Sequence, residues 1–507
     1  MAHRIKIYCS GKLVSETEGV PGETLYQHIN EAGVLLDAPC GGKGKCGKCL
    51  VRLSPHGEQI LACRTTVSGD TDVYLPKEAE PDVKVVSAAA RPTTSRKRLG
   101  AAADIGTTTV AMHLIDITTN TRIATASGGN AQRPYGADVV SRIQYCAKNG
   151  HDKLTQLIRE QLASLINQAC SAAGARAQDI EYISIAGNTV MEHLVAGYSP
   201  VGMGTTPFAP VSLFGMELPA WEGLPALKTA KIYYAPAISA YVGGDITAGI
   251  LAAELEGTDG PAVYADIGTN GEIVMKSGDR YYCCAAAAGP AFEGAEITMG
   301  MAAVSGAIDH VKWDGRLEFS VIGDCEPRGL CGSGLLDALA ALLDTGAVDE
   351  TGRLLGVDEI NHKIAAHIDA TGGKNAFRLT KGGSIYISAT DIRKLQLAKS
   401  AIAAGIRTLL EHTGTAEEQV KTFILAGGFG SLMDRRSAAR IGLFPNIFLP
   451  AAQALGNTAG EGAALALCSE KARAALEHIR KRCEYIELSS SSVFNKEFVE
   501  QMAFPAY

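Results

Sequence analysis

The heptapeptide ADIGTTT at residues 103–109 has a counterpart, ADIGTNGE, at residues 265–272. Each ends an apolar run on an aspartate, turns at Ile-Gly-Thr and continues apolar, as AAADIGTTTVAMHLID (101–116) and AVYADIGTNGEIVMKSG (262–278). Both read as strand, turn, strand. Asp104 and Asp266 stand 162 residues apart, so the chain carries an internal repeat of two α/β halves with a cleft between them. A carboxylate at the end of a buried strand is unfavourable unless it has a task. Gly106, Thr107, Thr108 and Thr109 in one copy, and Gly268, Thr269 and Asn270 in the other, let backbone N–H groups and hydroxyls approach phosphate oxygens. The aspartates are then candidates to hold Mg²⁺ through water or to orient an attacking water.

A third segment completes the set. VKTFILAGGFGSLMD (420–434) is an apolar strand running into Gly427, Gly428 and Gly430, which allow close approach to a nucleotide. ALGNTAGEGAALAL (454–467) opens a helix, with Gly456 and Asn457 placed to line adenine or ribose. Weaker signals are the loop Gly243, Gly244, Asp245, a phosphate or Mg²⁺ candidate, and Gly332, Ser333, Gly334 at a helix N-terminus. Ser333 serves equally as a helix cap or a ligand. Asn188 follows a strand, and Glu293 and Glu296 are general-base or plain surface residues. SATDIRKLQLAKSAIAAGIRTLLEH (388–412) predicts a long helix capped by Thr390, with Ile392, Leu395, Ala398, Ile402 and Ile406 on one core-facing side.

Taken together, the two aspartate turns and the glycine-rich segment resemble the acetate and sugar kinase, Hsp70 and actin superfamily, over about residues 100 to 470. The resemblance implies two ribonuclease H-like domains, ATP in the cleft and closure on binding.

Ahead of this region lies DAPCGGKGKCGKCLV (37–51). With Cys63 it gives the spacing Cys40-x5-Cys46-x2-Cys49-x13-Cys63. Four thiolates, three of them on one loop, suit a [2Fe–2S] cluster. Glycines 41, 42, 44 and 47 supply positive-φ positions for a loop that wraps such a group, and Lys43, Lys45 and Lys48 add positive charge. RIKIYCSGKLVSET reads as a hairpin, and ETLYQHINEAGV carries Leu25, Ile29 and Ala32 at helical spacing. Strand, strand, helix, cysteine loop, strand is the order of a β-grasp fold, and this part resembles the [2Fe–2S] ferredoxins, with the five-residue first gap of the adrenodoxin type. A structural zinc site is the competing reading, although zinc more often takes two separated cysteine pairs. Cys9 falls outside the pattern and reads as a packing residue. Cys283, Cys284 and Cys331 form no convincing second ligand set.

The fold class is therefore α/β, expected as a ferredoxin-like domain at 1–78, a linker at 79–98, ATPase domains at 99–257 and 258–475, and an extension at 476–507. The linker, rich in Pro, Ser, Thr and charge, would span roughly 25 Å if flexible, enough to let the cluster move between donor and acceptor. At 507 residues, 46% hydrophobic and 20% charged, the chain is globular and too long for one domain. Its net charge of −7 gives no basic footprint for nucleic acid. No apolar run is long enough for a membrane span, and the opening MAHRIKIYCS has no secretory core, which points to the cytoplasm. Thirteen cysteines, an odd number, read as thiols and ligands rather than disulfides.

A ferredoxin has no need of ATP unless electron transfer is uphill, and ATP helps only by shifting populations of two conformations. The cysteine set, ADIGTTT, ADIGTNGE, RGLCGSGLLDAL and LAGGFGS together resemble the reductive activators of corrinoid proteins. That resemblance implies one-electron return of a corrinoid cobalt from Co(II) to Co(I), anaerobic methyl metabolism, ATP with Mg²⁺, a low-potential electron donor and a homodimer. The short connector before the first turn suggests a methyltransferase corrinoid protein as partner, rather than one with its own iron–sulfur cluster. Two alternatives stand beside it: a redox-gated small-molecule kinase, and a non-catalytic ATP-switched scaffold with a zinc knuckle. No Gly-x-Gly-x-x-Gly follows a strand, which disfavours a dinucleotide-linked reductase.

Overall fold

The structure, a computed structural model, describes residues 3–9, 11–32, 34, 36, 38, 42, 44, 47–76, 84–87 (backbone), 98–225, 231–294, 296–369, 375–430 and 432–506. By internal contacts the chain divides into two units, 1–245 with 463–474 and 246–462 with 475–507.

The first unit begins with the expected ferredoxin-like order. His3–Cys9 and Lys12–Gly19 pair as a hairpin, and Thr71–Leu75 lies parallel to His3–Cys9 on its other side. The helix Leu25–Glu31 starts at Thr24, whose side chain and Gln27 cap each other reciprocally. Ile5, Ile7, Leu25, Ile29, Cys49, Val51 and Val73 close a small core, which also takes up Cys9 as a packing residue.

The larger sheet of this unit has seven strands. Leu99–Ile105 is central, antiparallel to Thr109–Asp116 and parallel to Ile180–Gly187. These strands are buried along most of their length, with the helix Asp152–Ala172 packed against the sheet. The helix Asp152–Ala172 buries Leu154, Ile158, Leu162, Leu165 and Ala169, an i, i+4 stripe. At the sheet edge Lys84–Ser87 pairs antiparallel with Ala124–Ser127. This strand falls inside the expected linker and ties part of it down, its Val85-Val86 pair being suited to extended backbone.

The second unit repeats the arrangement in a six-stranded sheet. Ala262–Ile267 is antiparallel to Gly271–Ser277 and parallel to Thr422–Ala426. The long helix runs Ala389–Thr413 and buries Ile392, Leu395, Ala398, Ile402 and Ile406 as expected. Its cap is Ser388, not Thr390: Ser388 adopts extended backbone and exchanges hydrogen bonds with Asp391, leaving Thr390 inside the first turn. The expected C-terminal extension is built into this unit. Cys483–Tyr485 adds an edge strand beside Arg280–Ala286, and residues 498–505 are held by the long helix and its surroundings. Gln396 Nε2 donates to the Met502 carbonyl at 3.0 Å and Lys399 Nζ to the Ala503 carbonyl at 2.6 Å.

Lys399 is fully buried, and burial lowers its pKa to about 7. The unfolded chain, with lysine near 10.4, binds the extra proton, so this group adds stability as pH rises from about 7 to about 10. Wild-type protein should therefore gain Tm between pH 7 and pH 9 by an increment that Lys399→Met lacks; equal increments in a paired thermal-melt series would exclude this assignment.

Candidate active site

Both aspartates end a central strand beside an alanine of the parallel neighbour: Asp104 beside Ala186 and Asp266 beside Ala426. Each parallel strand then turns at glycine, Gly187 in one unit and Gly427 in the other. The repeat is thus larger than the sequence comparison found. IAGN at 185–188 is the counterpart of LAGG at 425–428.

In the first unit the Gly106 N–H donates to the Thr109 carbonyl at 3.0 Å, closing the turn. Thr107 and Thr108 are half-buried and Thr109 is exposed. Gly187 pairs with Ile105, and Asn188 caps the helix Thr189–Ala196, its Oδ1 accepting from the Val190 N–H at 3.0 Å. The 243–245 segment seats on this turn, but only Gly243 precedes the helix: Gly244 and Asp245, expected in a loop, form the first turn of Gly244–Ala252. A Cβ at Gly243 would lie 2.4 Å from the Gly187 carbonyl oxygen, and one at Gly244 would lie 2.5 Å from Glu192 Oε1. The structure therefore brings together Asp104, residues 106–109, Gly187, Asn188 and residues 243–245. It adds Glu192, which the sequence reading missed. This residue is fully buried, and burial first and Asp245 second push its carboxyl well above the usual range.

In the second unit the Gly268 N–H donates to the Asn270 carbonyl at 2.9 Å, and Gly271 already pairs with Ile267. This turn is one residue shorter than the first. Gly427 has φ +84°, and a Cβ there would lie 2.4 Å from Asp266 Oδ1, so glycine alone lets the 427 turn meet the carboxylate. Burial raises the Asp266 pKa to about 6, while the Tyr264 hydroxyl, 3.5 Å from Oδ2, pulls it down. Tyr264 Oη also lies 2.8 Å from Thr458 Oγ1, which follows Gly456 and Asn457. Asn457 Oδ1 accepts from the Gly460 N–H at 2.7 Å, fixing the start of that helix. Gly428 follows Gly427 with space on its Cβ side.

Glu293 joins this group, since Thr269 Oγ1 donates to its Oε1 at 2.8 Å. Glu296 is exposed and stays apart. Gly332 abuts the Phe292 carbonyl and the Phe429 ring, and Phe292 stacks on Phe429 at 5.0 Å between centroids. Ser333 is buried inside the first turn of the helix Gly332–Asp344, behind the N-cap residue Cys331. Cys283 and Cys284 are fully buried with thiols pushed upward by burial, as packing residues.

In the ferredoxin-like part, Cys40 and Cys46 lie outside the described residues. Cys49 is buried, and Cys63 is half-buried in the short turn Ala62–Arg64. The Ala62 N–H donates to the Cys49 carbonyl at 2.8 Å, tying the two cysteine segments together. Gly42, Gly44 and Gly47 all have left-handed φ, at 77°, 72° and 70°. The Arg64 guanidinium holds the Gly44 carbonyl at 2.6 Å.

Three family models match successive stretches: a 2Fe-2S iron-sulfur cluster binding domain at 9–68, the RACo middle region at 99–258, and the C-terminal RACo domain, the ASKHA domain, at 261–507. The corrinoid activation enzyme RamQ of Eubacterium limosum is 30% identical, covering 97% of this chain and 98% of its own. The chain belongs to the RACo family. A [Co(II) methylated amine-specific corrinoid protein] reductase of Methanosarcina barkeri is 25% identical over 80% of this chain and 77% of its own. A solved reductive activator for corrinoid,iron-sulfur protein superposes with a TM-score of 0.73 at 29% identity, covering 99% of this chain and 98% of that one.

As a RACo protein the chain is an enzyme with a [2Fe–2S] ferredoxin-like portion and an ATP-using ASKHA portion. The small-molecule kinase alternative is not favoured by these relatives. The residues present fit the cluster: a glycine loop with three left-handed positions, tied to a second cysteine segment, is the backbone such a group requires. Among the described residues no helix is long and apolar enough to cross a membrane.

An ionised Asp266 with its pKa raised to about 6 weakens folding above that pH, a burden of the kind active sites carry. Asp266→Asn should keep or raise Tm at pH 7.5 and leave the visible spectrum of the cluster intact, while ATP hydrolysis is lost. Hydrolysis at the wild-type rate, or loss of the cluster spectrum, would refute this division of labour.

Proposed function

We propose that this protein reductively activates a corrinoid protein, returning inactive Co(II) to Co(I) by one electron at the expense of ATP in an anaerobic methyl-transfer system. The observation that carries this reading is the joining of a four-cysteine ferredoxin-like portion to two aspartate turns in one RACo chain. Cys40, Cys46, Cys49 and Cys63 would hold the cluster, which when bound supplies the single electron.

The remaining residues serve the nucleotide. Backbone N–H groups and hydroxyls of Gly106–Thr109 and Gly268–Asn270 bind phosphate oxygens. Asp104 and Asp266 hold Mg²⁺ through water or orient the attacking water, and Asp245, with Gly243 and Gly244, supports the same task. Gly427, Gly428, Gly456, Asn457 and Gly332, with Ser333 behind it, shape the adenosine side. Glu192, its carboxyl pushed well above the usual range by burial and by Asp245, packs in the same corner.

ATP drives the transfer through differential affinity. The nucleotide-bound conformation docks on the Co(II) corrinoid protein, and hydrolysis releases it. Each ~59 mV of uphill one-electron transfer requires about 1.4 kcal/mol of such a difference.

The partner in this reading is the corrinoid protein of a methyltransferase system, without an iron–sulfur cluster of its own. The donor is a low-potential electron carrier, and the enzyme works as a homodimer in the cytoplasm, away from nucleic acid and membrane. The described cysteines outside the cluster motif stand as free thiols, which suits a reducing compartment.

Anaerobic visible spectroscopy tests the proposal. Reduced protein mixed with a methyltransferase corrinoid protein held as Co(II) should generate Co(I) only when MgATP is added. Co(I) appearing equally without ATP, or none at all from a protein with an intact cluster and measurable hydrolysis, would reject the function for that partner.

A further inference from the structure

We propose that Arg142 is a positioning residue of the first phosphate turn, supplying from behind the turn the buried positive charge that sets its affinity for the phosphates of ATP. The inference rests on the reading of residues 104–109 as a phosphate turn and assigns that turn a residue no motif contains.

Arg142 lies on the helix Val139–Asn149 and has no exposed surface. Its guanidinium meets neutral acceptors. Nη2 donates to the Thr107 carbonyl at 2.5 Å, Nε to the Gly136 carbonyl at 3.0 Å, and Nη1 to Gln132 Oε1 at 3.1 Å. The Met191 sulfur lies 2.8 Å from Nη1. Among the described residues no carboxylate stands within ion-pair distance; Asp138 and Arg133 act only at longer range, in opposite directions. Burial lowers the pKa to about 9, so the group stays cationic at neutral pH. A buried cation without a counter-ion is strongly unfavourable, and a neutral side chain of similar length would fill the same space. An anion arriving at the turn would supply the missing partner.

The hydrogen bonds explain how the charge reaches that anion. Peptide groups polarise: a donor on the carbonyl strengthens the N–H of the same peptide. Three successive carbonyls of the turn are engaged from behind. Asn130 Nδ2 donates to Gly106 at 2.9 Å, Arg142 to Thr107 at 2.5 Å, and the Asn130 N–H to Thr108 at 2.8 Å. The N–H groups of Thr107, Thr108 and Thr109 belong to these same peptides. Arg142 contributes the one full charge in the set.

The stretch GNAQRPYGADVVSR (129–142) is organised around this contact. A Cβ on Gly136 would lie 2.7 Å from the Arg142 nitrogen and 2.8 Å from its Cγ. Gln132 is fully buried and anchored by Nε2 to the Leu154 carbonyl at 2.9 Å. Asp138 and Ser141 cap each other to start the helix one turn before Arg142. Lys399, another fully buried cation, is drawn to about 7 and holds the C-terminal segment instead.

The test uses the full-length protein with its cluster, as Arg142→Met, Arg142→Gln and Arg142→Lys, read by MgATP titration, steady-state hydrolysis and the MgATP-induced rise in Tm. The neutral variants should bind MgATP roughly 10- to 100-fold more weakly, with KM for ATP raised, kcat within a few-fold of wild type, and the cluster spectrum unchanged. Arg142→Lys, which keeps the charge but loses the fork, should fall between them and wild type, and it carries the test if the neutral variants do not fold. Should a folded variant melt lower without nucleotide yet bind MgATP within about twofold of wild type, Arg142 is structural only and the proposal is overturned. Wild-type protein that fails to bind MgATP would instead overturn the phosphate-turn reading itself, so the two failures are distinguishable.

Discussion

A carboxylate fixed at the end of a buried central strand is the constraint on which the ATP-using part of the molecule depends. Water solvates such a group far better than a sheet does, so its neighbours must be arranged around it. Both units solve the problem alike. The parallel neighbour ends in alanine and then glycine, placing a turn without side chains against the aspartate. The antiparallel neighbour returns through a short hydroxyl- or amide-bearing turn. In the second unit burial still raises the Asp266 pKa to about 6, against the pull of the Tyr264 hydroxyl.

Around each carboxylate the supporting groups lie one layer back. Asn130 and Arg142 engage the carbonyls of the first turn, and Glu293 takes the hydroxyl of Thr269 in the second. Such contacts fix the direction in which each turn presents its backbone. The units are related in plan and different in detail. One carries a buried cation behind its turn; the other a tyrosine bridging Asp266 and Thr458.

An electron carrier joined to such a scaffold makes physical sense only for a transfer that needs driving. The cluster portion has its own core, closed by Ile5, Ile7, Leu25, Ile29 and Val73. ATP contributes through the relative stability of conformations and partner complexes, the currency in which an unfavourable reduction is offset.

Much of this was legible in the sequence because it is written in local chemistry. Cysteine spacing, glycines at left-handed turn positions, the repeated Asp-Ile-Gly-Thr and the 3.6-residue stripe of the long helix each lie within one short segment, where turn geometry and periodicity act directly. The local rules failed where two capping residues competed, Ser388 winning over Thr390 because Asp391 answers it from the third helical position. They also missed the edge strand Lys84–Ser87, whose pairing depends on a partner some forty residues further on. The sequence by itself determined the fold class, the [2Fe–2S] ferredoxin-like portion and the two aspartate turns. Only the tertiary structure decided that Gly187 stands where Gly427 stands, that Glu192 lies beneath Asp245, that Glu293 rather than Glu296 meets the second turn, and that Arg142 backs the first. Those relations join residues on different strands and helices, and adjacency of that kind arises from sheet order and packing, which no short stretch of chain contains.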